Sequence, residues 1–237
     1  MADPPPPPTA TGAAGADLRL VAGLYLRPTP LGAFRASTTR QPGPEVRFVR
    51  RLLREHRSPP LRPEVVARLA GGPGDGGAGP ALALLSRLQD RAWVEGHERP
   101  AETETGALED GLPRLLPPLS SRGRALLADR QGFCLASVGF DPDVATALSA
   151  FSADIAATTE RHAHRLDRVT GPAGPDTGAV GLVDGFGNSE LGFWPLFVGP
   201  QRFILAVAGL PRLNRPELVD LVARLSIRYG GDEPPEQ

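Results

Sequence analysis

The amino-acid sequence predicts an α+β protein: a five-stranded antiparallel sheet with flanking helices, preceded by a small, mainly helical domain. Three observations carry this prediction. The second half runs in the order helix, two strands, long helix, three strands, helix, judged by the switch between period-two and helical spacing of apolar residues. Turn-forming residues separate the apolar runs, as in Asp129-Arg130-Gln131-Gly132 and Gly199-Pro200-Gln201. The first half holds three short helical patterns punctuated by Pro and Gly. The expected organisation is a Pro/Ala-rich disordered tail (1–16), the helical domain (17–96), an acidic linker (97–111), the sheet domain (112–230) and a short disordered tail (231–237).

Composition bounds the rest. The chain has 237 residues, of which 41% are hydrophobic, enough to bury a core and to build two domains. Every basic residue other than histidine is arginine, and with 28 Gly and 27 Pro this points to a GC-rich bacterial genome rather than a functional choice. Net charge is -1, which implies no global attraction to nucleic acid or membrane. The 14 Arg and 9 acids of residues 1–100 make that half basic, and the 12 Arg and 18 acids of residues 101–237 make the other acidic. The single cysteine, Cys134, allows no internal disulfide, and the four histidines have no metal-ligand spacing. No run reaches the length of a membrane span and the N-terminus lacks an apolar signal region, so a cytoplasmic protein without membrane insertion is expected.

The elements follow in order. Residues 18–36 are apolar but interrupted by Pro28 and Pro30, and read as a short strand or extended segment. Residues 44–56 place Val46, Val49 and Leu53 on one helical face, with Phe48 and Leu52 beside them. Pro63 opens a second helix that Gly71-Gly72 ends. A Gly-rich loop leads to a third helix over 80–90 and a strand-like segment over 92–96. The stretches PEVRFVRRLLREHRSPPLRPEVVARLAG and PALALLSRLQDRAWVEGHE resemble a winged helix-turn-helix. Arg47, Arg50, Arg51 and Arg54 are the candidate nucleic-acid contacts. DNA binding is nonetheless not the expected function, because the third helix offers only Ser86, Arg87, Gln89 and Arg91 to read bases.

In the second half, prolines interrupt a helix near 112–119. Two strands flank the Asp129–Gly132 turn, whose Gly implies a bulged hairpin. Asp141 and Pro142 start a long helix running to about Leu166, with Val144, Leu148, Phe151, Ile155, His162 and Leu166 on one stripe. After a loop over 171–178, strands are expected over 179–183, 191–198 and 203–208. The middle strand is apolar on both faces, so cover on both is needed, and Pro195 puts it at an edge or a bulge. Asn214 and Glu217 form a capping box for the last helix.

The stretches ALLADRQGFCLASVGFDPDVATALSAFSADIAA, AVGLVDGFGNSELGFWPLFVGPQRFILAVAG and NRPELVDLVARL resemble the Roadblock/LC7 family over about 120 residues of the chain. The resemblance implies a homodimer with a sheet continuous across two chains, and a non-enzymatic regulator or scaffold whose partner is a small Ras-like GTPase. Asp143, Thr146, Asp154, Thr158 and Arg161, polar positions on the long helix, are the candidate partner contacts. Ala147, Ala150, Ala153 and Trp194 are the candidate dimer contacts. The alternatives are a ligand-responsive winged-helix transcription regulator and a structural adaptor in a bacterial assembly. No catalytic residue, cofactor or metal ligand is expected: there is no Walker-type lysine loop, no nucleophile elbow, and the glycines of 71–79 follow no strand.

Overall fold

A computed structural model describes residues 19–72, 78–104, 106–170 and 178–231. The expected tail at 1–16, all of the expected tail at 231–237 but its first residue, and most of the loop at 171–178 lie outside the described residues.

In the first half, strand β1 (Tyr25–Pro28) pairs antiparallel with β2 (Val94–His97). Between them lie four helices: α1 (Pro30–Thr38), α2 (Pro44–Leu53), α3 (Pro63–Ala70) and α4 (Ala78–Asp90). Helix α1 replaces the extended segment expected beyond Pro30. Pro30 starts this helix instead of breaking it, because a first-turn proline gives up no needed donor. Thr29 caps it, its hydroxyl accepting from the Gly32 amide at 3.0 Å. Gly32 is required there: a Cβ would stand 2.0 Å from the Trp93 carbonyl oxygen. Four helices closed by a two-stranded ribbon differ from the three-helix winged pattern, and among the described residues no further strand pairs with this ribbon.

In the second half, α5 (Leu108–Leu115) contains Pro113 and ends in a 3-10 turn, Pro117–Leu119. Strands β3 (Ala125–Asp129), β4 (Cys134–Val138), β5 (Val180–Val183), β6 (Ser189–Val198) and β7 (Gln201–Ala208) form one antiparallel sheet in the order β4-β3-β7-β6-β5. The hairpin after β3 has the expected bulge, between Leu127 and Ala128. Asp129 Oδ1 accepts from the amides of Gln131 and Phe133, both at 2.9 Å, and fixes the turn. Strand β6 is internal where β5 pairs with it. Its pairing with β5 ends at Phe193, so Pro195, which cannot donate, sits where β6 has only β7 as a neighbour.

Both sheet faces are covered, as the two-sided apolar pattern of β6 requires. One face carries Leu127, Leu196, Val198, Phe203, Leu205 and Val207. It packs against α8 (Pro216–Tyr229) and α5, and the same apolar cluster continues without a break into Phe48, Leu52, Leu69 and Leu88 of the first half. Residues 101–103, within the expected linker, are tied to the loop after α2: the Ser58 amide donates to the Ala101 carbonyl and the Thr103 amide to the His56 carbonyl, each at 2.8 Å. Glu104 binds Arg114 at 2.7 Å and also accepts from the buried Arg224 of α8.

The opposite face, with Leu126, Ala128, Phe193, Ile204 and Ala206, is covered by α6 (Pro142–Arg161). The long helix expected to reach Leu166 ends at Arg161. His162 leaves the helical region at φ -107° and ψ 10°, and α7 (Ala163–Thr170) follows as a separate helix. Helix α8 also starts differently from the expected capping box. Pro216 takes the first helical position and forces Arg215 extended, so Arg215, not Asn214, is the N-cap and it makes no side-chain cap bond.

Candidate partner-binding face

Helix α6 presents a different side to the sheet from the one its apolar stripe suggested. The buried residues are Ala145, Leu148, Ser149, Ser152 and Ala156. The serines are satisfied within the helix, Ser149 Oγ donating to the Ala145 carbonyl at 2.8 Å and Ser152 Oγ to the Leu148 carbonyl at 2.6 Å. Small residues and back-bonded hydroxyls let the helix sit close to the sheet. Val144 and Phe151 are exposed as a consequence, Val144 at 47% and Phe151 at 44%.

The two flanks of α6 differ. On one, the turn after β3 approaches closely: a Cβ on Gly132 would stand 3.1 Å from Ala150 Cα and 3.4 Å from Ala153 Cβ. On the other, Phe151 meets Phe193 of β6 edge-on at 5.7 Å between ring centroids. Beyond that pair lie the outer strand β5, where Leu182 and Val183 are exposed, and the turn after it, where Phe186 is 93% exposed. No strand lies outside β5 among the described residues. The β5–β6 turn that carries Phe186 is ordered by Asp184, which accepts from the Phe186 and Asn188 amides and from Asn188 Nδ2 at 2.8–2.9 Å. The Asn188 side chain foremost holds the Asp184 carboxyl below its ordinary range. At the same end, Arg122 pairs with Glu190 through two bonds of 2.6 Å, which lower the Glu190 carboxyl and raise the Arg122 guanidinium.

The sequence-derived contacts distribute as follows. Asp143, Thr146, Asp154, Thr158 and Arg161 are all exposed on α6. Thr146 turns its hydroxyl back to the Pro142 carbonyl at 2.9 Å, and the other four fall on one side of the helix by their spacing. The four expected dimer contacts do not share a surface. Ala147 and Ala150 are exposed and Ala153 is half-buried, and the Gly132 turn approaches Ala150 and Ala153 from one side. Trp194 points to the other sheet face, where its ring lies over Gly192. Residues that sequence reasoning missed are Phe186, Leu182 and Val183: an apolar strand end reads as buried until its neighbours are known.

The arginines of α2 are engaged with backbone. Arg47 donates to the Pro42 carbonyl at 2.7 Å, Arg50 to the carbonyls of Ala36 and Thr39 at 2.9 and 2.7 Å, and Arg51 to that of Leu69 at 3.0 Å. Arg54 has its own interactions in the fold. The acceptors of Arg50 and Arg51 lie at the C-terminal ends of α1 and α3, where carbonyls lack helical partners. No group of His, Cys, Asp and Glu among the described residues could hold a metal ion, and no described helix is long and apolar enough to cross a membrane.

Fold and surface together define an α+β protein with a helix-covered antiparallel sheet and an open sheet edge. The chain matches no family model and no curated protein sequence. A solved structure similar to it is Myxococcus xanthus MglB, at 14% sequence identity and a TM-score of 0.34, over 52% of this chain and 86% of that chain.

Proposed function

We propose that the protein is a non-enzymatic, homodimeric regulator or scaffold that binds a small Ras-like GTPase on the α6 side of its sheet. The GTPase class comes from the Roadblock/LC7 resemblance of the sequence. The observation that carries the choice of surface is the asymmetry of the two faces. Helices α5 and α8 and the first-half helices close one face into the main core. The α6 face keeps Val144, Phe151 and Leu182 exposed beside a row of polar side chains. A second copy would cover the β5 edge, whose unpaired backbone groups otherwise invite association. The polar side of α6, with Asp143, Asp154, Thr158 and Arg161, then remains for the GTPase.

The test uses purified full-length protein and the small Ras-like GTPases of its own genome, each loaded with GDP or a non-hydrolysable GTP analogue, by calorimetry. At least one is expected to bind with an affinity that depends on the nucleotide. Reversing both charges, Asp154→Arg with Arg161→Glu, is expected to weaken that binding at least tenfold, with stability changed by only about 0.5 kcal/mol as for other surface substitutions. Unchanged binding by the double variant removes this side of α6, and failure of every GTPase overturns the reading.

A further inference from the structure

We propose that Glu160, in the last turn of α6, is a clasp: its carboxylate holds the end of α6 closed on the sheet, and its release lets residues 153–170 lift as one segment from a hinge at Ser152. The segment comprises the second part of α6 and the whole of α7. The clasp does not depend on the GTPase reading. On that reading Asp154, Thr158 and Arg161 ride on the segment, so its position would set the geometry of the partner face.

Apolar packing fastens the two parts of α6 unequally. Up to Ser152 the helix buries Ala145, Leu148, Ser149 and Ser152. Past it, Ala156 is the one buried side chain of α6, with Ile155 half-buried against the same cluster. None of the described side chains of α7 is buried. A segment with so few buried apolar contacts opens readily unless something else holds it. The hinge lies where Ser149 and Ser152 bond back onto the preceding turn, a pattern that loosens and bends helices.

What holds it is charge. Arg202 shares the α6 face of β7 with Ile204 and Ala206, and it is only 8% exposed. Both acceptors of its guanidinium lie on α6. Nη1 donates to Glu160 Oε2 at 2.5 Å and Nη2 to the Ala156 carbonyl at 2.6 Å, while Nε is buried without a partner. The other oxygen of the same carboxylate, Oε1, lies 3.1 Å from Arg40 Nη2. Arg40 follows the C-cap of α1, which packs on α8 and on the opposite face of the sheet. One carboxylate therefore joins α6 to the sheet and to the first half of the chain. Neutralising it leaves the Arg202 charge buried and uncompensated, which is strongly destabilising. The guanidinium regains water by displacing what lies over it, and that is the end of α6.

The experiment is hydrogen–deuterium exchange of the full chain, read peptide by peptide in a mass spectrometer. In the wild type, the α6 part of the segment is expected to exchange far more slowly than an unstructured peptide. Glu160→Gln keeps the shape of the side chain and removes its charge. It is expected to speed exchange over residues 153–170 at least tenfold, with β3 and α8 at wild-type rates. Arg40→Gln removes the outer arm alone and is expected to speed the same residues to a smaller extent. Wild-type exchange over 153–170 in either variant overturns the proposal. So does acceleration spread evenly over the whole chain, which would make Glu160 an ordinary stabilising pair, and so does a wild-type α6 end that exchanges like an unstructured peptide. Arg40 is 34% exposed and its replacement leaves the buried pair in place, so a folding failure of Glu160→Gln leaves the test intact.

Discussion

Phe151 of α6 stands edge-on to Phe193 of β6, with 80° between the ring planes, and the two have opposite environments: Phe193 is 1% exposed and Phe151 is 44% exposed. The pair marks the boundary of the covered sheet. On one side of it α6 seals β3 and β7; on the other, β5 and its turn carry apolar side chains into the open. An exposed apolar group of this kind beside a free strand edge is a surface for association.

The dimer is therefore expected to depend on β5 and the Phe186 turn and not on the alanines of α6. Val183→Lys combined with Phe186→Ser is expected to convert the full-length protein to a monomer in multi-angle light scattering at micromolar concentration, with its thermal midpoint nearly unchanged. Ala150→Ser, beside the Gly132 turn, is expected to leave the dimer mass as it is. A monomeric wild-type protein would refute the homodimer, and a dimeric double variant would refute this edge. The whole chain is the right sample, because a 112–237 fragment would expose the core that α8 shares with α2.

Gly132 supports α6 through its lack of a side chain. It sits at φ 88°, and a Cβ would meet backbone atoms of Ala150 and Ser149 at 3.1 and 3.3 Å. Gly187, at φ 85°, has open space around it. Gly187→Ala carries only the left-handed backbone strain, about 1–2 kcal/mol. Gly132→Ala adds displacement of α6 and is expected to cost about 2–4 kcal/mol in urea unfolding, within the range of named large effects. Equal losses would show that the contact with α6 has no energetic consequence.

Asp220 and Asp184 have opposite pH signatures. The folded state raises the Asp220 pKa, chiefly by partial desolvation of a side chain that stays exposed, so the effect is small. Its ionisation therefore opposes folding at neutral pH, and that opposition disappears as pH falls through the carboxyl range. Asp220→Asn is expected to stabilise the protein slightly near neutrality and to lose that advantage at acid pH. The folded state lowers the Asp184 pKa, mainly through Asn188. Its contribution is present above the unfolded value and is lost as pH falls through the folded one. Asp184→Ala is expected to destabilise near neutrality and much less at acid pH. Urea midpoints measured at both pH values for the two variants check the signs.

The α2 arginines are expected to matter for stability more than for nucleic acid. Arg50→Ala removes bonds to two carbonyls, and charged hydrogen bonds of this kind contribute about 1.5–3 kcal/mol each. A loss of about 3 kcal/mol or more in urea unfolding is expected. Duplex DNA should bind weakly, without sequence preference, and be released steeply by salt, as measured by fluorescence anisotropy. A footprint on one defined site at physiological salt would reverse this and favour a transcription regulator.

Much of the fold was legible where local chemistry alone decides conformation. The order of elements in the second half, the bulged hairpin at Asp129–Gly132, the stop of α3 at Gly71 and the buried face of α2 all follow from turn residues and periodicity acting within a few positions. The two-sided apolarity of β6 correctly required cover on both faces. Proline was less transparent. Pro30 and Pro216 each start a helix, and their effect depends on whether the preceding residue is free to be extended.

What tertiary structure alone decided is which side of each element faces which neighbour. The stripe through Val144 and Phe151 has helical spacing, yet of that stripe α6 buries only Leu148, together with Ala145, Ser149, Ser152 and Ala156 on the adjacent side. A sheet face flanked by the Gly132 turn admits a closely seated helix more readily than one with bulky contacts. The same holds for the first-half helices, whose sequence reads as a free-standing domain but whose apolar faces join those of α8 in one core. Periodicity records how apolar groups are spaced along a segment. Which of two nearly equivalent faces is covered is set by residues far away in the chain, and that choice is what leaves β5, Phe186 and the α6 ridge exposed.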